Sequence, residues 1–260
     1  MLRLVIVILL FVSPNFALAD VIFSSGSYDI MEKVLDEQSK MKGTSAEKID
    51  VLTQNFLNTP YNKQTLNMSS SSVEKLVINL KAMDCMTFIE YTEAFKRSEN
   101  DEQFKLNLAS IRYINQNITF NNRRHFFSDW AQGPDAIAVD ITDKISPHAI
   151  RINKHLNLKN NGMTYISNYP IKNRVINYIP TKYLDKEVLS QLNAGDYIGI
   201  YSTESGLDVS HVGVVIRKGN KIIFRNASSL RGNLKVSDSE LLSYLKGKNG
   251  IVVLRAKLNY

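Results

Sequence analysis

Cysteine is nearly missing from this chain: Cys85 is the only one in 260 residues. A single thiol excludes an intramolecular disulfide framework and any Cys-x-x-Cys metal or redox pair. The four histidines never form His-Glu-x-x-His, so no zinc motif is present and no metal ligand is assigned. There is no glycine-rich, phosphate-cradling loop either, which leaves nucleotide chemistry without support, and no cofactor is expected. The net charge of +7 and a pI of about 9.3 suit an anionic partner, yet the basic residues are scattered. Arg123-Arg124 is the nearest approach to a cluster. A solvated basic surface explains that charge better than nucleic-acid binding does.

Long apolar runs are also scarce. The one sustained run, Leu4 to Val12, follows Met1-Leu2-Arg3 and precedes Ala17-Leu18-Ala19. It is about half the ~20 residues that span a bilayer, so a removable export signal over 1–19 is favoured over an anchor. No cysteine follows the run to carry a lipid. The mature chain, 20–260, is therefore expected in the periplasm, with extracellular release as the alternative and no stable membrane insertion once the signal is removed. A signal left uncleaved would instead tether the protein at the membrane. In an oxidising compartment a lone cysteine calls for a reason. It is either a small buried hydrophobe or a nucleophile.

The rest of the sequence reads as a single domain with helices first and strands later, an α+β order. Residues 20–58 form its helical N-terminal part and 59–260 its core. Helix is expected over 27–59, where Thr44-Ser45-Ala46-Glu47 has capping-box spacing and Ile49, Leu52 and Phe56 follow at helical intervals. Asp84 is a plausible N-cap, and Cys85, Phe88, Ile89, Thr92 and Phe95 line one face of the next helix. Ile111 to Tyr113 reads as the start of a strand. Residues 131 to 180 are turn-rich, and Lys182 to Leu192 reads as a short helix. Strands are expected over Tyr197–Ser202, His211–Arg217, Ile222–Ala227 and Gly250–Leu254.

One hairpin carries chemical meaning. Gly219-Asn220 is a favoured two-residue turn, so Lys218 pairs with Lys221 and the register runs back to Gly213 opposite Asn226. His211 and Asn226 then project from the same face as diagonal neighbours, with Gly213 leaving room between them. A one-residue slip would send Asn226 to the other face. Cysteine hydrolysis needs this set: a thiol, an imidazole to move its proton, and a polar group to orient the imidazole. A helix N-terminus beside the sulfur favours thiolate and offers free N–H groups to an oxyanion. On this reading Cys85 reacts with alkylating agents well below pH ~8.5, the ordinary thiol value. His125, His148 and His155 read as surface or core residues.

The order Pro60-Tyr61, Asp84-Cys85, Gly195-Asp196 and Ser210-His211-Val212-Gly213 resembles the NlpC/P60 superfamily of papain-like bacterial cell-wall hydrolases. More narrowly, the chain resembles the N-acetylmuramoyl-L-alanine amidase-like family. The matching stretches are Thr59-Pro60-Tyr61, Asp84 to Glu90, His125 to Trp130, Gly206 to Gly213 and Ala227-Ser228-Ser229. The resemblance implies a papain-like core, with the Cys helix packed on an antiparallel β-sheet that carries the His. It implies a peptidoglycan or muropeptide substrate, cut between N-acetylmuramic acid and L-alanine. It assigns Cys85 as nucleophile, His211 as base and Asn226 as third polar residue, where many relatives carry His. Tyr61, Asp84, Ser210, Asp208 and Trp130 are its candidate substrate contacts. Each has a plainer role beside that one: core tyrosine, helix cap, loop residues and packed aromatic. Cleavage within the stem peptide by a D,L-endopeptidase, or wall binding without catalysis on the same fold, are the competing functions. Oligomeric state is not legible.

Overall fold

Two helices replace the single helical stretch expected near the N-terminus: α1 (Ser27–Ser39) and α2 (Ser45–Gln54). The capping box predicted at Thr44 separates them, with Glu47 Oε2 accepting the Thr44 N–H at 2.8 Å. The computed structural model describes residues 21–257, so the expected signal at 1–19 lies outside the described residues. Just after it, β1 (Val21–Phe23) pairs in parallel with β2 (Leu76–Ile78).

The next helix, α3 (Cys85–Lys96), starts where the sequence placed it. Asp84 caps it reciprocally: Thr87 N–H donates to Asp84 Oδ1 at 2.7 Å, and Asp84 N–H donates to Thr87 Oγ1 at 2.9 Å. Residues Thr87 to Phe95 are buried without a break, so α3 is a central helix rather than a one-faced surface one. The strand expected from Ile111 is instead the end of α4 (Asp101–Arg112), capped by Asn100. Phe104, Leu108 and Ile111 form its buried stripe. Read alone, Ile111-Arg112-Tyr113 has strand composition, but its apolar residue completes a helical period begun at Phe104.

Strands β3 (Ala138–Asp140), β4 (Ile150–Leu156), β5 (Lys172–Pro180), β6 (Tyr197–Tyr201), β7 (Val209–Lys218), β8 (Lys221–Ala227), β9 (Val236–Glu240) and β10 (Gly250–Ala256) build the main sheet. Its order is β4-β5-β10-β6-β7-β8-β9, with β3 also on β10, and the pairs are antiparallel. The short helix expected over 182–192 is α5 (Lys186–Gln191), and α6 (Leu241–Tyr244) follows β9. The middle segment, expected as irregular, thus supplies three strands.

The sheet is covered on both faces. Along β10, Val252 and Leu254 pack into one cluster with Phe88 and Phe95 of α3, while Ile251 and Val253 pack into another with Val188 and Leu241. A strand buried on both sides reads as continuous apolar sequence, as Gly250-Ile-Val-Val-Leu254 does.

Candidate active site

Cys85 opens α3, half-buried at the helix N-terminus. The amides of Val212, Met86 and Cys85 itself point at its sulfur and favour thiolate. Burial works against them and wins, with the Asp84 carboxylate adding repulsion: the thiol is pushed up to about 12. This upward push runs against the easy ionisation expected from the helix start alone. A helix end contributes about half an elementary charge, less than the cost of desolvating a thiolate.

The imidazole comes from the hairpin. Its register is the predicted one, from Lys218↔Lys221 to Val214↔Arg225. Continuing it brings His211 and Asn226 together: His211 Nε2 lies 2.9 Å from Asn226 Oδ1. Asn226 Nδ2 donates to Phe224 O at 3.3 Å. That bond orients the amide oxygen toward the ring, so Nε2 carries the proton and Nδ1 keeps its lone pair. Among the described residues no hydrogen bond joins that ring to the Cys85 sulfur. Burial lowers the His211 pKa, opposed by Asn226 and Asp84. Burial thus opposes charge on both the thiol and the imidazole.

Gly213 does leave room, but for Phe224: a Cβ at Gly213 would lie 2.6 Å from the Phe224 ring and 2.6 Å from Arg225 O. The sequence reading missed a feature just upstream. Ile200 pairs with His211, whereas Tyr201 pairs with Val209, so Ser210 is the extra residue of a β-bulge. Bulges re-aim the neighbouring side chain, and here that neighbour is His211. Ser210 itself is exposed.

Two tyrosines flank the sulfur. Tyr61 is held by a bridge to Met83 and by its N–H donating to Leu234 O at 2.9 Å. Burial first, then Cys85 and Asp84, push its phenol up to about 12. Tyr244 of α6 was not anticipated. It stacks on His211 at 6.2 Å and lies tilted against Phe224 at 4.8 Å, and burial and Cys85 push it up to about 12. Its only sequence signal was an aromatic residue ending a short apolar run.

Other candidates lie elsewhere. Trp130 is fully buried against Tyr197, edge to face at 5.0 Å, and has no exposed surface for a ligand. Asp208 is buried and accepts the Ser128 N–H at 2.7 Å, which ties the aromatic 126–131 segment to the His strand. Asp84 spends its carboxylate on the α3 cap. His125 is bonded to Phe120 O at 2.7 Å, and burial lowers it to about 4. His148 stacks on Tyr183, and His155 is bonded to Asn173.

A family model described as N-acetylmuramoyl-L-alanine amidase-like matches residues 51–251. Two crystal structures of an N-acetylmuramoyl-L-alanine amidase from Bacteroides uniformis ATCC 8492 are 28% and 27% identical, with TM-scores of 0.65 and 0.68. The first covers 79% of this chain and 97% of that one, the second 83% and 100%. A protein from Legionella pneumophila is 21% identical with a TM-score of 0.70, over 88% of this chain and 94% of its own, a likeness of fold. No curated protein matches the chain. With a match running from α2 into β10 and enclosing Cys85, His211 and Asn226, the chain belongs to the N-acetylmuramoyl-L-alanine amidase-like family.

Proposed function

We propose that this family member is an exported cysteine amidase of the papain-like NlpC/P60 type. It acts in the periplasm on peptidoglycan or muropeptides, and it cleaves the amide between the lactyl group of N-acetylmuramic acid and L-alanine. The observation that carries the reading is the contact between His211 Nε2 and Asn226 Oδ1 at 2.9 Å. Nε2–H donates to Asn226, which leaves Nδ1 as a base on the strand whose Val212 N–H points at the Cys85 sulfur.

Burial pushes the thiol up and the imidazole down in the free protein, so in this reading the thiol proton passes to Nδ1 as sulfur attacks. Substrate must bring Sγ and Nδ1 within hydrogen-bond reach for this general-base step. Attack forms the S–C bond and moves the carbonyl π electrons onto oxygen, which the Cys85 and Met86 N–H groups, directed at the sulfur in the free protein, stabilise. Collapse breaks the C–N bond, and His211 returns the proton to the L-alanine amine. A thioester remains on the lactyl carbon. Water, deprotonated by His211, attacks it and restores the thiol. Tyr61 and Ser210 stand at the reacting end as substrate contacts.

The test is mass spectrometry of disaccharide–peptide muropeptides incubated with purified protein. Free peptide beginning with L-alanine is the expected product, and Cys85→Ala abolishes its release. Asn226→Ala lowers kcat by orders of magnitude, up to about ten-thousand-fold by analogy with a misoriented serine triad. Cuts inside the stem peptide would replace this reading with the D,L-endopeptidase one. Full turnover by Cys85→Ala would remove the nucleophile.

A further inference from the structure

A cavity of about 690 Å³ lies away from the thiol. It lies at the other end of α3, eight residues on at Glu93, roughly 12 Å along the helix axis at 1.5 Å per residue. We propose that it is a second binding site, and that its ligand is an oxyanion: a peptide carboxylate or a phosphate.

The charges around this cavity are only partly compensated. Five cations line the cavity: Lys48 from α2, Lys96 and Arg97 from the end of α3, and Arg255 and Lys257 from the end of β10. Two carboxylates face them, and both are committed. Glu93, its side chain 1% exposed, takes Lys96 and Arg97 and also accepts the Tyr197 hydroxyl at 2.6 Å. Asp196 takes Arg255 through two bonds of 2.7 and 2.8 Å, and accepts the Asn193 N–H at 2.7 Å. Lys48 and Lys257 make no ion pair among the described residues. The α3 C-terminus contributes about half a negative charge, which leaves a surplus of roughly two to three positive charges around one partly open recess.

Like charges held around a low-dielectric recess repel each other, and an anion relieves that repulsion. The volume falls in the range of small-ligand sites. Ile49 and Leu52 give it an apolar floor, so a ligand carrying an aliphatic part beside its anionic group fits better than a bare ion. The Asn193–Asp196 turn and the basic end of β10 form the opposite wall.

The test is binding, not turnover, so it stands apart from the amidase reading. Amide NMR of the purified protein at low salt is followed while inorganic phosphate, and separately an N-acetylated Ala–Glu dipeptide, is added. Saturable shifts are expected at Lys48, Ala194 to Asp196 and Arg255 to Lys257, with Met86 and Val212 unmoved. The double variant K48E/K257E weakens binding by about tenfold or more, equivalent to about 1.4 kcal/mol. K48Q/K257Q weakens it less, in the same direction, and covers the case in which the charge reversal disturbs folding. Response to phosphate alone assigns a phosphate-bearing ligand, response to the dipeptide alone a carboxylate one, and response to both a site selective for charge. No saturable shift with either probe, shifts confined to the thiol end, or undiminished affinity in both double variants would overturn the proposal.

Discussion

At Cys85 two effects of opposite sign meet on one atom. The helix start and three amides pull the thiol toward ionisation, while burial and Asp84 push it away, and the structure sides with burial. The sign of the pH dependence follows. An acid raised to about 12 stays protonated through the whole range in which an ordinary thiol, near pH ~8.5, has ionised. Carbamidomethylation of the free protein at pH 7 should therefore be slower than that of a small-molecule thiol. Its rate should still be climbing beyond pH 9. A rate that levels off below pH 8 would show a stable thiolate and would reverse the order of proton transfer and attack. Position in sequence identified this residue; its ionisation depends on what the chain brings over it, chiefly the His strand and the two tyrosines.

The β7–β8 hairpin is the element that does the positioning. Its turn, register and shared face were all legible, because the Gly219-Asn220 turn fixes the pairing of every residue counted back from it. The Ser210 bulge was not, since β6 and β7 are joined by the Ser202–Asp208 loop, which is no two-residue turn and leaves their register open. Gly213 is the sensitive point of the hairpin. A methyl there meets the Arg225 carbonyl, which is backbone and cannot turn aside. Gly213→Ala should cost about 1–3 kcal/mol, the usual range for overpacking, and should also lower kcat by splaying His211 from Asn226. Denaturant midpoint and kcat are measured together. Unchanged values for both would mean that the strands absorb the methyl without moving the site.

For the whole molecule, buried ion pairs bind the layers. Arg112 at the end of α4 donates to Glu90 of α3 at 2.7 Å and to the Val77 carbonyl of β2 at 2.7 Å, with neither charged side chain exposed beyond 2%. Removing one partner of such a pair leaves a buried charge unanswered, at a cost of about 3–5 kcal/mol. Glu90→Ala should lose that much stability as a shift in urea midpoint at constant slope. Glu90→Gln, whose amide oxygen still accepts, should lose less. A loss under 1 kcal/mol from Glu90→Ala would mean that Arg112 reaches solvent.

Short-range order was decided by the sequence alone. The caps at Thr44 and Asp84, the helix that begins on Cys85, and the hairpin that puts His211 beside Asn226 each follow from side chains acting on neighbouring backbone. Contacts across distant segments were decided only by the tertiary structure. The β4–β5 pair and β9 form where their own residues give little sign, since Ile150 and Ile152 are exposed and Ser237-Asp238-Ser239 is polar. Packing also took Trp130 into the core, brought Tyr244 against the imidazole and collected five cations around one cavity. The upward push on the thiol belongs to this second group. Desolvation depends on everything that surrounds an atom, and no local pattern of residues encodes that.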